Sequence, residues 1–542
     1  GSADGDVYVD EDVTADYIVI STNNGNASVS GGLTAEDSVT VQAGLDASVT
    51  GDVVAKGDFI RVTGGEDVLV KNLTAENGNI KIIAGNNADL RGAAKAKKVN
   101  VEATAGTIAS IGTLEATDGD ITLKAGEDVN YLNATASGNI TADAGRDIRA
   151  YGPTTAGGDV NLTARGNLMS NDNGVIDAEG DAKLVTKDGD VILKATVNAK
   201  NVTIEAGRDA NTAAELTAET GDVNVKAGRD AALAALTANT GDVNVTAKDN
   251  ASLNGAVNAT TVRVKATEGD LKVNAPVMST EDLVVLNAGR DVKTTAAVTA
   301  EGDMLITAGR DISADDELKS NKYSVFAVAG RDAKLSRTTA EGDVIVEANS
   351  NVKLNGDVDA SNIYVTAKEE SLESNGVLTA NGAIEFFAGT HAYINNDVTG
   401  GNVRAITINN MFVDGNIEAT GADIFLMSNR HARINGTLKA NTDVYVSADE
   451  SLDVFNTVDA VTGSVMLNAN NSLQAQGAVT AAGDVSMTTD LGNLDVYGDV
   501  KAGEMASFGS NYGNVAVYGD VEADYIVAST TNGNASVSGN LT

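Results

Sequence analysis

The sequence contains no cysteine and no tryptophan, and it has only 2 proline residues among its 542 residues. The absence of cysteine excludes a scaffold built on disulfides. Aromatic residues make up only 4% of the chain, whereas a large globular core normally depends on Phe, Trp and Tyr for buried area. The apolar residues, 42% of the total, are mostly Ala, Val, Ile and Leu. These proportions predict a narrow, repetitive core filled by small side chains.

Basic residues are scarce relative to acidic ones, with 38 Lys and Arg against 76 Asp and Glu and a net charge of −38. This balance argues against a nucleic-acid partner, because phosphate backbones are bound by Lys and Arg. An excess of acidic residues is compatible with high solubility, with cation binding or with a high-salt environment. The sequence shows neither a signal peptide nor an apolar run long enough for a membrane-spanning helix. We therefore expect no membrane insertion.

The chain is built from one repeat with a period of about twenty residues. The segment "LTAETGDVNVKAGRDAALAA" at 216–235 is followed directly by "LTANTGDVNVTAKDNASLNGA". Related turns such as "AGED" and "AKDN" occur in other repeats of the chain. The intact copies begin at Ala144, Ala206, Ala227, Ala288, Ala308 and Ala329.

Apolar and polar residues alternate within each repeat, as in "GDVNVK", where Val223 and Val225 fall on one side and Asn224 on the other. Alternation with a period of two indicates β-strands, and the Gly, Asn and Asp clusters between them indicate turns. A single coil cannot bury its inward residues, so coils must stack. The sequence predicts an all-β fold, a right-handed parallel β-helix (β-solenoid) with about 20 residues per coil, roughly 26 coils and uncapped ends. We expect one continuous β-solenoid over residues 1–542, with a bulged coil at the charged segment 313–330.

The fourth position of the repeated turn is nearly always Asp or Asn. We predict that the Gly at the second position supplies a positive φ and that the Asp or Asn bonds its own backbone. Stacked coils would then place these residues in a structural turn ladder at one corner. The predicted ladder comprises Asp46, Asn87, Asp128, Asp147, Asp209, Asp230, Asn250, Asp291, Asp311, Asp332 and Asn351.

The same ladder is the one candidate for a cation site, because stacked carboxylates offer the oxygen ligands that Ca²⁺ prefers. The Arg beside the Asp in each intact copy of the turn argues against this alternative, since it can neutralise the carboxylate locally. We therefore predict no cofactor and leave Ca²⁺ as the alternative.

The sequence lacks the residues that the common catalytic triads and dyads need, since it has no cysteine and only two histidines. The two histidines, His391 and His431, both occupy the fourth turn position and lie 40 residues apart. Two coils separate residues by roughly 9.5 Å, too far for both to bind one zinc ion. Ser-His-Asp and Cys-His schemes are therefore not expected, and we predict a protein without enzymatic activity or catalytic residues.

The "AGRD" turns between "GDV" strands resemble the haemagglutinin repeats of filamentous-haemagglutinin-like exoproteins. The resemblance covers roughly residues 40 to 390 well and the remainder loosely. It implies a secreted β-helical protein of the cell surface that acts as an adhesin or as a stalk. A glycan or a host surface would then be the partner.

The sequence is compatible with three functions. The first is a non-enzymatic extracellular structural rod, a cell-surface fibre or an adhesin. The second is a surface-layer or sheath-forming polymer, and the third is an enzyme that acts on polysaccharides. A glycan-degradation screen distinguishes the third from the other two.

Two distant segments are nearly identical. Residues 15–34 and 523–542 match at seventeen of twenty positions with a constant offset of 508. We expect residues 1–508 to be a super-repeat and residues 509–542 to be the start of a second copy. The alternative is that copies of the chain dock head to tail, so self-association, covalent or by docking, is the predicted partnership.

Overall fold

The computed structural model describes residues 1–542, and every regular element in it is a β-strand. The chain forms two compact units, Gly1–Gly269 and Asp270–Thr542. Each unit is a β-solenoid of parallel coils. The coils follow one another about 20 residues apart, with about 27 turns in all. The predicted all-β solenoid is confirmed.

A coil of the first unit consists of three short strands separated by turns. Val223–Ala227 belongs to a face that we call sheet A, Ala231–Leu233 to sheet B and Leu236–Ala238 to sheet C. The next coil repeats the pattern, and its strand Val243–Ala247 pairs in parallel with Val223–Ala227. Each sheet is therefore a stack of equivalent strands from successive coils.

The second unit follows the same three-strand pattern. Eight consecutive strands of its sheet A carry aromatic and aliphatic side chains on their outer face. These strands are Val325–Ala329, Val344–Ala348, Ile363–Ala367, Ala383–Ala388, Asn402–Thr407, Ile424–Ser428, Val444–Ala448 and Val465–Ala469.

The core of each coil is formed by the inward residues of its three strands. In the coil described above, Val223, Leu233 and Leu236 are fully buried and Ala227 is 3% exposed. In sheets A and C of this coil, valine or leucine is the first inward residue of the strand and alanine is the last. This core uses small residues, as the composition predicts.

The segment 313–330 does not form the bulged coil that its charges suggested. Its strands Ile312–Ala314, Leu318–Ser320 and Val325–Ala329 continue the three sheets, and Val325–Ala329 pairs in unbroken register with the strand before it. That prediction is wrong, because the charged side chains point outward and leave the strand pattern intact. Register shifts occur instead at 15–17 and 110–113, where single strands of nine residues run through a corner.

Candidate functional site

The turn between sheets A and B places one polar residue directly before the first inward residue of sheet B. In the turn from Ala227 to Ala231 this residue is Asp230. All of the predicted ladder residues occupy this position, in the first unit Asp46, Asn87, Asp128, Asp147, Asp209, Asp230 and Asn250, and in the second unit Asp291, Asp311, Asp332 and Asn351. We call this column of residues the A–B ladder.

Ten of the predicted ladder side chains accept a hydrogen bond from a backbone N–H of the next coil, and none of these ten bonds is made within one turn. The Oδ1 atom of Asp147 accepts a hydrogen bond of 2.7 Å from the backbone N–H of Asn167. Asp230 accepts one of 3.0 Å from the N–H of Asn250, and in the second unit Asp332 accepts one of 3.1 Å from Asn351. The ladder therefore links coils, whereas the sequence suggested a bond within each turn.

The ladder contains further members that the turn motif did not identify. They lie in turns that read "ADGD", "NNGN", "GGED", "ARGN", "KDGD" and "TEGD". The signal that locates them is their spacing of about 20 residues from their neighbours and their place before an inward apolar residue. The additional acceptors are Asp6, Asn26, Asp67, Asn167 and Asp190 in the first unit and Asp270 in the second.

The Arg of each intact "AGRD" turn pairs with the ladder carboxylate one coil earlier. Arg208 donates from Nε and Nη2 to the two oxygens of Asp190, at 2.7 and 2.6 Å. Such two-pronged pairs are stronger and more directional than a single contact. The remaining pairs of the same form are Arg146–Asp128, Arg229–Asp209, Arg290–Asp270, Arg310–Asp291 and Arg331–Asp311.

Every one of these arginines lies where two successive ladder members are both acidic, so its charge offsets the repulsion between stacked carboxylates. The hydrogen bond from Arg208 lowers the pKa of the Asp190 carboxyl below its ordinary value. The hydrogen bonds from Arg146 and Arg310 likewise lower the pKa of their partners, Asp128 and Asp291. These carboxylates are therefore held in the charged form.

Where the ladder member is Asn, the amide takes over the role of the Arg. The Nδ2 group of Asn250 donates to Asp230 at 2.9 Å, and that of Asn87 donates to Asp67 at 3.1 Å. In the second unit Asn351 donates to Asp332 at 3.0 Å. An Arg or an Asn in the next coil can thus donate to the ladder carboxylate, which explains why both Asp and Asn occur at this position.

The glycine of the turn is required by the approach of neighbouring coils and not by its φ angle. Only Gly119 has a φ in the left-handed region, at 154°. A Cβ atom on Gly228 would lie 2.1 Å from the carbonyl oxygen of Gly207, one coil earlier. The prediction of a positive φ in this turn is therefore wrong, and the glycine serves to let two backbones pack closely.

The other two corners carry similar bonds. At the turn from sheet C to sheet A, Asn139 accepts from the N–H of Asp159 at 2.7 Å. At the turn from sheet B to sheet C, Asp499 accepts from the N–H of Asp520 at 2.9 Å. Acidic and amide side chains thus connect coils at all three corners, which accounts for many of the acidic residues.

The two histidines occupy the turn positions that the sequence assigned to them, with one coil between them. The Nδ1 atom of His431 lies 2.6 Å from Oγ of Ser451, and its Nε2 atom lies 2.8 Å from Oε2 of Glu450. Nothing in the sequence pattern indicated this contact, because the three residues belong to neighbouring coils. The N–H of Glu450 is bonded to the carbonyl of Arg430, and that of Ser472 is bonded to the carbonyl of Glu450. These two backbone donors are therefore engaged and are not free to stabilise the oxyanion that forms in ester or amide hydrolysis.

No group of three or more His, Asp or Glu side chains in the structure is arranged to hold a metal ion. The structure likewise contains no helix with the length and apolar character needed to cross a membrane. Comparison of the chain with protein-family models, with curated proteins and with solved structures finds no match.

Proposed function

We propose that the protein is a non-enzymatic structural element of the cell exterior, a cell-surface fibre or an adhesin built from stacked β-coils. The observation that carries the proposal is the A–B ladder. In most coils up to Asn351, a side chain of the ladder accepts a hydrogen bond from the backbone of the next coil, as in the bonds from Asn167 to Asp147 and from Asn250 to Asp230. These bonds add to those of the sheets themselves.

This arrangement suits a protein whose task is mechanical. In a solenoid, stability is approximately a sum of terms between neighbouring coils, so a bond repeated at each coil strengthens the whole stack evenly. The proposed position outside the cell rests on the resemblance to secreted haemagglutinin-repeat proteins. A glycan or a host surface is the proposed partner of the adhesin form.

The experiment that tests the proposal is force spectroscopy on single molecules combined with a glycan-degradation screen. We expect a stepwise extension in which groups of coils detach at high force, and no turnover of any polysaccharide. Turnover of a polysaccharide that is abolished by a substitution on the protein would contradict the proposal.

A surface-layer or sheath-forming polymer is the second candidate. The near identity of residues 15–34 and 523–542 favours it, because equivalent coils offer equivalent surfaces for stacking. We propose that copies continue one another along the solenoid, covalently or by docking. Electron microscopy of the purified protein distinguishes the candidates, since long fibres of constant width support the polymer and separate particles support the fibre subunit or adhesin.

A further inference from the structure

The outer face of sheet A in the second unit carries a contiguous apolar strip. It runs across the eight strands from Val325–Ala329 to Val465–Ala469. In the first unit most of the corresponding outward residues are polar, for example Lys183, Thr203 and Asn224. The outward apolar residues of the strip are Phe326, Val328, Ile345, Tyr364, Phe387, Ile406, Phe425, Met427, Tyr445 and Met466.

Several of these side chains are open to solvent. Phe387 is 37% exposed and Met466 is 43% exposed, and the rings of Phe425 and Tyr445 stack with centroids 4.9 Å apart. Single exposed apolar residues are common on protein surfaces, but a contiguous patch rimmed by polar groups marks an interaction site. The strip is therefore a candidate docking surface.

Two opposite charges lie at the centre of the strip. Glu385 and Arg404 are direct neighbours on adjacent strands. They form no ion pair with each other, and Arg404 lies instead over the ring of Phe425, 5.5 Å from its centroid. Around them is a shallow depression of about 250 Å³ that Tyr364, Phe387 and Ile406 help to line.

The strip is self-complementary about this centre. One column of the sheet continues past the eight strands with apolar Leu305 and Val285 at one end and with polar Ser486 at the other. Over the eight strands, its residues in order are three apolar side chains, an acid, a base and three more apolar side chains. That column reads Phe326, Ile345, Tyr364, Glu385, Arg404, Phe425, Tyr445 and Met466. Within this column, a twofold axis through the centre places apolar residues opposite apolar residues and Glu385 opposite Arg404, as an isologous interface requires. In the second outward column the same axis places Phe387 opposite Ile406, and polar Thr366 and Glu347 opposite Met427 and Ser447.

We propose that this strip is the interface between two antiparallel copies of the chain, packed sheet against sheet. The proposal goes beyond the structural role proposed above and does not depend on it. With the twofold axis parallel to the strands, Glu385 of each copy faces Arg404 of the other, and Phe387 faces Ile406. The outer pairs are Tyr364 with Phe425, Ile345 with Tyr445 and Phe326 with Met466.

The alternative twofold axis, parallel to the solenoid, fits poorly. It would place Glu385 of one copy opposite Phe387 of the other and Arg404 opposite Ile406. Each charge would then be buried against an apolar side chain without a partner, which is strongly unfavourable. The charge pattern thus selects the antiparallel arrangement.

The size of the strip predicts a weak complex. Eight strands spaced about 4.8 Å apart and five residues long, at about 3.3 Å each, give a face of roughly 600 Å². Stable complexes bury about 800 Å² on each partner, so we expect a dissociation constant in the micromolar range.

The net charge of −38 on each copy opposes association, and salt screens this repulsion. Dimerisation is therefore expected to be stronger at physiological salt than at low salt.

Analytical ultracentrifugation of the full chain across the micromolar range tests the proposal. The wild type is expected to shift from 55.1 kDa toward twice that mass as its concentration rises. Arg404→Glu alone and Glu385→Arg alone each place like charges face to face, and each is expected to weaken association by about tenfold or more. Lys183→Glu, on the polar face of the first unit, makes the same change in charge as Arg404→Glu and is expected to leave dimerisation unchanged.

An equimolar mixture of the two single variants gives the deciding result. In the mixed pair, the arginine introduced at position 385 of one variant would face the glutamate introduced at position 404 of the other. Association is therefore expected to return to near the wild-type level. Effects within one chain cannot produce this rescue. Circular dichroism and thermal melting check that each variant keeps its fold.

Three outcomes would overturn the proposal. These are a wild type that stays monomeric at all concentrations, a dimer that neither single variant weakens, and a mixture that fails to restore association. A monomeric wild type that binds an oligosaccharide array, with binding lost in Phe425→Asn, would assign the strip to glycan recognition instead.

Discussion

Arg229 donates to Asp209, which lies one coil earlier, in preference to Asp230 beside it in the sequence. Its Nε atom is 2.7 Å from Oδ1 of Asp209 and 3.4 Å from Oδ2 of Asp230. The Arg therefore connects coils, as the ladder carboxylates do. Asp209 accepts from Arg229 and also from the backbone N–H of Asp230, at 3.3 Å. One carboxylate thus holds the next coil by both a side chain and the backbone.

The ladder bond can be tested at Asp190, whose Oδ1 atom accepts from the N–H of Asp209 at 3.1 Å. Asp190→Ala removes the acceptor and leaves this N–H without a partner, at a cost of roughly 1–3 kcal/mol. Asp190→Asn keeps an acceptor oxygen and is expected to cost less. Hydrogen exchange at the amide of residue 209 measures the difference. Equal acceleration of exchange in both variants would show that the charge, and not the backbone bond, is what matters.

The Arg pairs predict a specific dependence of stability on pH. The pKa of Asp128, Asp190, Asp270 and Asp291 is lowered chiefly by the hydrogen bond from the paired Arg. A carboxyl whose pKa is lower in the folded state stabilises the fold above its unfolded value of about 3.9. This contribution is lost as the pH falls through the folded pKa.

A variant with four of these arginines changed to Gln reports this contribution directly. The wild type is expected to melt at a higher temperature than the variant between about pH 5 and 8, and the difference is expected to shrink below about pH 4. The substituted residues are Arg146, Arg208, Arg290 and Arg310. The control removes the same number of charges by changing Lys124, Lys183, Lys226 and Lys265 to Gln, and no ion pair of these lysines is present. A difference that stays constant down to about pH 2.5, roughly a unit below the usual Asp pKa, would contradict the assignment.

The role of the turn glycine can be tested by adding one methyl group. In Gly228→Ala the new Cβ atom would lie 2.1 Å from the carbonyl oxygen of Gly207, so the two coils must separate. Overpacking of this kind costs about 1–3 kcal/mol. In the control Gly509→Ala the nearest atom is 3.7 Å away, and we expect a change within about 0.5 kcal/mol. Denaturant unfolding measures both variants, and equal effects would contradict the close-approach argument.

The fold was predictable from the sequence because each coil carries its own pattern. The alternation around Val223 and Val225 and the glycine turn after them are enough to define strands and corners. The direction of the ladder bonds was not predictable, because "GRD" places Arg229 and Asp230 side by side while the preferred partner, Asp209, is 20 residues away. Only the register of stacked coils shows that partner.

The same limit applies to contacts that cross from one coil to the next elsewhere. The "AGRD" motif did not identify Asp190, because the turn of Asp190 reads "KDGD". The sequence around His431 likewise did not indicate that its ring contacts Glu450 and Ser451 of the next coil. The apolar strip was also hidden, because its aromatic side chains are far apart in the sequence and come together only when sheet A is assembled. Local pattern thus predicts the coil, and register between coils determines the surface.

Calcium provides a final test of the ladder, because its carboxylates were the one candidate cation site. Both oxygens of Asp209 accept hydrogen bonds from Arg229, and Oδ1 also accepts the backbone N–H of Asp230. A Ca²⁺ ion would have to displace these donors to obtain its six to eight oxygen ligands. We therefore expect Ca²⁺ to raise the melting temperature no more than Mg²⁺ at the same concentration. Arg229→Gln frees one carboxylate and is expected to increase the response to both ions. Saturable heat of Ca²⁺ binding in the wild type, lost in Asp209→Asn, would instead identify the ladder as a calcium site.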